Sequence, residues 1–386
     1  MSSDGSDVGV QLDRARALCD LKRYAEATEL LRQVLEREPE SEVAWCLLAQ
    51  AQLGAGDPHA ALDAAGHAAA LEPENDWPHR LRSFAFQRLG ASESAIAAAR
   101  EAVRTGPSFW GSHVCLANSL ALGKRDLDEA AASGERGVEL APHEPATHFT
   151  RGMVASAQGH HWEADQHYRQ ALALDPQHVP SQNAIAARRL AKSGFDPGAL
   201  ADAAAGFRNV VQTDPREDVG VYNLELALRV FLARLSYLIF VVAIISARVD
   251  DPTSGTGNAT AARIVPLVLA LVPLAYAAYF LVELEPDLRG HLFYVAFHGR
   301  LAAASLAQVC AVVLLLASAA VPRHAAIVMA VAAVVSSLIA RILVASGGKA
   351  RPWSVVRWRR RRLSLDRRWI MVAVVVGTIL FLSGHK

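Results

Sequence analysis

Lysine is almost missing from this chain: 5 of its 39 basic residues are lysine and the rest arginine. With abundant alanine, that usage fits a GC-rich bacterial genome. Cysteine is equally scarce. The four present (Cys19, Cys46, Cys115, Cys310) are widely separated and form no CxxC pair, which excludes a disulfide framework or a zinc ribbon. Nucleotide and hydrolase signatures are absent too: no GxxxxGK[ST], no GxGxxG after a strand, no GxSxG, no kinase set. Nor is there a strand pattern to carry them, so the chain does not read as an enzyme. The first eleven residues lack a basic n-region and an apolar h-region, and no cleavable signal peptide is expected. Residues 1–7 read as a disordered leader.

What the chain does have is unevenly spread. Hydrophobic residues make up 52%, charged ones 20%, and the mean hydropathy is +0.19. Residues 1–219 carry a net charge of −10 and residues 220–386 a net +11. Within the acidic part, prolines recur at Pro39, Pro73, Pro107, Pro142, Pro176 and Pro215, spaced 34, 34, 35, 34 and 39 apart. Twelve residues before each stands an alanine: Ala27, Ala61, Ala95, Ala130, Ala164, Ala203. Five before each is Val34, Ala68, Ala102, Gly137, Ala171 or Val210. Further upstream lies a second small position, read as Ala15, Ala49, Ser83, Ala117, Gly152 and Ala184.

Those columns have a physical meaning. Small residues on both helices of a hairpin let the backbones approach closely, and Trp45, Leu48, Leu31 and Tyr168 fill the remaining gaps. Gly56, Gly90 and Gly159 fall where the first helix must end, and each proline stops the second. The pattern resembles the tetratricopeptide repeat, a helix–turn–helix unit of 34 residues that stacks into a superhelix with a concave binding face. The resemblance covers about residues 8–217 as six repeats. One extra residue is expected near Lys124–Leu127, and five around Leu190–Gly198.

Residues 218–383 read as a membrane domain. Five apolar segments follow, at 230–247, 264–282, 301–321, 325–344 and 369–382. The first four hold 18 to 21 residues, enough to cross a hydrocarbon core of about 30 Å. The fifth would span about 21 Å and is either extended by snorkelling Arg367 and Arg368 or re-entrant. Loop charge orients the set. Residues 347–368, with Lys349, Arg351, Arg357, Arg359, Arg360, Arg361 and Arg362, belong in the cytoplasm, as does the loop 283–300. The loop 248–263, with Asp250 and Asp251, falls outside. The expectation is a multi-pass protein of the cell (inner) membrane with cytoplasmic repeats and an outside C-terminus. The fold class is all-α: a repeat solenoid followed by a helical transmembrane bundle.

His143, His148, His160, His161, His167 and His178 crowd the fifth repeat, but without metal-ligand spacing they read as solvated helix faces. No metal or cofactor is expected. Arg357 and Arg359–Arg362 form an anionic-lipid or topology patch, the latter favoured. Inside the spans, Arg234 and Arg341 lie near cytoplasmic ends, where snorkelling satisfies them, and Gln308 reads as an interhelical hydrogen-bond donor. The resulting expectation is a membrane-tethered adaptor that holds a cytoplasmic protein segment, with lipid but no nucleic acid as a further partner. A regulatory component of a transport or channel complex is the alternative. The resemblance implies that Arg80, Phe84, Arg88, Asn118, Phe149, Met153 and Arg188 line the partner-binding groove.

Overall fold

The computed structural model describes residues 3–213, 218–249, 259–298, 301–318, 331–337 and 339. Twelve helices run in hairpins: α1 (Ser3–Asp20), α2 (Tyr24–Arg37), α3 (Glu42–Ala55), α4 (Pro58–Leu71), α5 (Asp76–Leu89), α6 (Ser92–Thr105), α7 (Trp110–Gly123), α8 (Leu127–Leu140), α9 (Pro145–Gln158), α10 (His161–Leu174), α11 (Val179–Lys192) and α12 (Pro197–Thr213). Four more follow: α13 (Asp218–Val249), α14 (Ala259–Glu283), α15 (Pro286–His298) and α16 (Ala302–Ser318). The helices divide between two compact units, Met1–Ser181 and Gln182–Lys386. Already at Ser3 the chain is helical, so most of the expected leader belongs to α1. Asp7, inside it, accepts from Arg37 at 3.3 Å and from Gln11 at 3.0 Å.

The repeat columns are the core of the hairpins. Ala27, Ala61, Ala95, Ala130, Ala164 and Ala203 are all at most 1% exposed, as are Val34, Ala68, Ala102, Ala171 and Val210. At Gly152 the approach is close: a Cβ there would lie 2.6 Å from the Tyr168 ring. Gly56, Gly90 and Gly159 end their helices in the left-handed conformation, at φ +85°, +76° and +87°. In the fourth repeat Lys124 takes that role, and the extra residue lengthens the turn to Asp126, whose carboxylate caps α8 at Glu129 N. Side-chain caps from Ser41, Asp57 and Asn75 start α3, α4 and α5.

The sixth hairpin corrects the sequence register. Ala186, 2% exposed, fills the small position of α11, while Ala184 is only half-buried. The small position stands ten residues after the preceding proline, as Ala49 does after Pro39, which gives Ala186 after Pro176, and all five extra residues lie between Ala186 and Ala203. The turn Ser193–Asp196 is two residues longer than its counterpart between α3 and α4, and α12 is three longer than the other second helices.

In the second unit, α13 is one unbroken helix of 32 residues. Its Leu224, Ala227, Leu228 and Phe231 share a core with Leu200, Ala203, Ala204 and Phe207 of α12 and with Phe280, Leu288 and Leu301 beyond. The expected loop over 283–300 is largely helical. Pro286 opens α15, whose Leu288 and Leu292 are buried one turn apart. Among the described residues one stretch, Tyr222–Ala243, is long and apolar enough to cross a membrane. Val268–Glu283 and Ala302–Leu314 are apolar but shorter, so the described residues carry one segment of spanning length where five were expected. Most of 325–344 and all of 369–382 lie outside them.

Candidate functional site

In the first unit, α1, α3, α5 and α7 each pack on the next first helix as well as on their own hairpin partners. Close approach on one side of a stack curves it, and the first helices occupy the inner layer. Three of the expected groove residues stand in one row across that layer: Phe84 on α5, Asn118 on α7 and Met153 on α9, each nine residues into its repeat. Phe84 and Met153 are partly buried and pack against the same cluster of Cys115, Leu116, Leu120 and Val154. Between them the Asn118 side-chain oxygen is buried without a hydrogen-bond donor. A buried acceptor left so costs about 1–3 kcal/mol relative to a paired one.

The neighbouring row behaves differently. Arg80 is not an open cation: its Nε donates to Asp76 at 2.6 Å, and its guanidinium lies 4.6 Å from the Phe109 ring centre. Asp76 also accepts from Ser112 Oγ at 2.9 Å, so the charge of Arg80 is largely spent inside the protein. Phe149 packs its ring 5.8 Å from Tyr168 and 5.7 Å from His178. Arg88 is exposed at the end of α5. Arg188 is half-buried on α11, two residues past Ala186, and so does not keep the groove spacing on which its assignment rested. Buried hydroxyls join the inner helices below these rows: Ser83 and Ser119 lie 2.9 Å apart, and Gln87 donates to Ser119 at 2.8 Å.

One regular feature escaped the sequence reading. Six residues after each of the first four loop prolines stands a ring N–H that donates to that proline's carbonyl. Trp45 reaches Pro39 at 2.8 Å, His79 reaches Pro73 at 3.2 Å, His113 reaches Pro107 at 2.9 Å and His148 reaches Pro142 at 2.9 Å. Since a carbonyl only accepts, each histidine carries its proton on Nε2. The spacing was visible, and it removes His148 from the solvated faces to which it was assigned. His167 approaches Glu163 at 3.8 Å, and His178 bonds Ser181 at 2.8 Å. Burial lowers the pKa of both, with Arg151 adding to the effect at His167. Among the described residues no three metal-ligating side chains converge. Burial pushes the Cys115 thiol up to about 11 and raises Cys19 and Cys46, the reverse of what a nucleophile needs.

The second unit buries several polar groups. Asn223 donates to Asn183 at 2.6 Å, Gln308 Nε2 donates to Ser236 Oγ, and Ser337 Oγ donates to the Ser236 carbonyl at 3.0 Å; all five side chains are buried. Gln308 thus makes the interhelical bond expected of it. Arg234 donates to Ser193 Oγ at 2.9 Å. Outside, α14 presents Val268, Leu271, Val272 and Val282, α16 presents Leu306, Val309 and Val313, and the segment 331–339 presents Val331, Val335 and Ile339. Arg341, Arg357 and Arg359–Arg362 lie outside the described residues.

Comparison with known proteins bears on the first unit. Two tetratricopeptide-repeat family models match, one at residues 8–51 and one at 145–178. A comparison with curated proteins finds no match. Among solved structures, TTC0263 of Thermus thermophilus, a thermophilic repeat protein of this kind, is 24% identical over 45% of this chain and 94% of its own, with a TM-score of 0.42. YrrB, a repeat protein with an unusual peptide-binding site, is 17% identical over 45% of this chain and 89% of its own, at 0.34. The Cut9–Hcn1 assembly is 18% identical over 57% of this chain and 42% of its own, at 0.47. Built of Ala-columned hairpins and matched at both ends of its first unit, the chain carries tetratricopeptide repeats at residues 8–51 and 145–178.

Proposed function

We propose that this chain is a membrane-tethered adaptor, which binds a protein segment on its inner helix layer and is held in a bilayer by the helices of its second unit. Tetratricopeptide repeats are protein-binding modules, and two features refine that reading here.

The observation that carries the tether is a set of buried polar side chains beneath an apolar surface in the second unit. Ser236, Gln308 and Ser337 are buried, while valine and leucine cover the outer faces of α14 and α16. In water each exposed apolar Å² forgoes about 25 cal/mol of burial, and each buried polar group must be matched by a partner. In hydrocarbon both terms favour this arrangement, since helices there associate through interhelical hydrogen bonds and small residues. The arginine-rich stretch 347–368 supports a cytoplasmic placement of the repeats by loop charge.

For the partner, the row Phe84, Asn118, Met153 offers two apolar contacts flanking a half-buried amide side chain. An extended or helical segment supplies both apolar side chains and backbone N–H groups. Because Arg80 is neutralised by Asp76, the segment's apolar residues rather than its acidic ones supply the main contact. The test is site-specific photocrosslinking in the host from positions 84 and 153, with Trp162 on α10, 72% exposed, as the control. A partner captured from the inner row, lost with Asn118→Leu and absent at 162 supports the reading; equal capture from all three positions refutes it. Reporter fusions after residues 213 and 257 are expected to read inside and outside, and an outside signal at 213 would sink the proposed orientation.

A further inference from the structure

The five residues added to the sixth hairpin build a rigid turn with an exposed aromatic at its tip. Ser193 is buried, donates to Leu190 O at 2.7 Å and accepts from Arg234 of α13 at 2.9 Å. The Asp196 carboxylate accepts from Gly198 N at 2.9 Å and Ala199 N at 3.3 Å, which starts α12. Held between them, Phe195 is 51% exposed, its ring 5.4 Å from that of Tyr237 on α13. On α14, Tyr279 lies against the same turn: a Cβ on Gly198 would sit 3.5 Å from its ring. Three half-exposed aromatics from three elements therefore stand at one level of the second unit. To one side of that level α13 and α14 expose Ile245, Val268, Leu271 and Val272. To the other lie exposed Arg189 and Lys192 at the end of α11, and the ion pair of Arg208 with Glu285. Aromatic residues between an apolar band and cationic residues mark the headgroup layer of a bilayer.

We infer that the α11–α12 turn is seated on the membrane surface, with Phe195 in the headgroup layer beside Tyr237 and Tyr279, and Arg189 and Lys192 against anionic lipid headgroups. The inference rests on the membrane reading above. It assigns a role to the one place where the repeat period breaks by five residues, and it makes the last hairpin part of the anchor. Asp196, the acidic group at the turn, is engaged by the α12 backbone and faces the lipid with its charge already held.

Spin labels test it on the full chain in vesicles of phosphatidylcholine with phosphatidylglycerol, in a Cys310→Ser background. Cys19, Cys46 and Cys115 are buried and take no label. Labels at Ala191→Cys, beside the turn, and Val272→Cys, on the apolar face of α14, are read for collision with oxygen and with a water-soluble nickel chelate. We expect the label at 272 at hydrocarbon depth and that at 191 in the headgroup layer. Adding Phe195→Glu should raise nickel collision at 191 severalfold. Arg189→Glu with Lys192→Glu should do the same in anionic vesicles and not in pure phosphatidylcholine. Aqueous behaviour at 191 with hydrocarbon depth at 272 overturns the seating and leaves the tether standing. Aqueous behaviour at 272 overturns the tether itself. Shielding at 191 that persists without lipid and grows with protein concentration assigns the turn to a second copy of the chain and refutes the inference.

Discussion

Two glycine-to-alanine changes should move stability in opposite directions. Gly66 in α4 and Gly152 in α9 are both helical, so alanine at either gains about 0.5–1 kcal/mol from helix propensity and the reduced freedom of the unfolded chain. At Gly66 a Cβ meets nothing within 4 Å, and the gain stands alone. At Gly152 the same atom falls 2.6 Å from two carbons of the Tyr168 ring and 3.1 Å from the Ala164 carbonyl. Tyr168 is 4% exposed and boxed in by Phe149, so it cannot swing aside, and overpacking of this kind costs about 1–3 kcal/mol. The net effect is stabilisation by about 0.5–1 kcal/mol for Gly66→Ala and loss of up to about 2 kcal/mol for Gly152→Ala. Because stacked repeats open hairpin by hairpin, the readout is native-state amide exchange, followed on α4 for the first variant and on α9 and α10 for the second. Tyr168→Leu should partly rescue Gly152→Ala. Slowed exchange in both variants, or no rescue, would refute the claim that the small-residue column sets the hairpin spacing.

Asn118→Leu is expected to slow exchange of α7, gaining about 1 kcal/mol by removing a buried acceptor without a donor, while weakening capture of the partner about tenfold in a binding titration. A chain ending at residue 213 exposes Phe207, Leu200 and Ala203, which α13 otherwise covers. Its α11 and α12 should exchange faster than in a chain ending at 249, and equal rates would disconnect α13 from the last hairpin. His167 and His178 have folded pKa values below the unfolded 6.5, so their neutral forms favour folding. The stability they contribute is present above about pH 6.5 and is lost as the pH falls from there toward the lowered values. Faster exchange of α9 and α10 on acidification, blunted by His167→Gln with His178→Gln, is the expected result. In detergent Cys310 should react with a small apolar maleimide while Cys19, Cys46 and Cys115 react only after unfolding; in vesicles a charged maleimide should spare Cys310.

The hairpins were legible because their packing repeats at a fixed period. A small residue such as Ala61 is dictated by its distance to a facing backbone, and that distance recurs every 34 residues. The misreadings have equally local causes. Ala184 and Ala186 are both alanine, and the five-residue insertion that follows blurs which of them keeps the repeat register. Residues 286–298 read as a loop because Leu288 and Leu292 are too few for an obvious span, yet one turn apart they suffice to bury one side of a short helix. Arg80 reads as a groove residue, yet Asp76, four residues earlier, is its natural helical partner. Ser112, which completes that arrangement, sits 36 residues away, and only the neighbouring hairpin brings it there.

The proline carbonyls held by Trp45, His79, His113 and His148 bear on how the stack carries load. Each bond closes a short ring at the junction between one hairpin and the next, so the junction is a stiff joint rather than a swivel. Bending of the stack is then confined to the seams between helix faces, and those seams are lined with alanine and glycine that leave little room to slide. With each joint alike, a set of repeats acts as a torsion spring of uniform pitch. A loosened joint rotates everything beyond it, so the Phe84, Asn118 and Met153 row would lose its alignment through an angular error accumulated at a distance, with none of its own contacts touched.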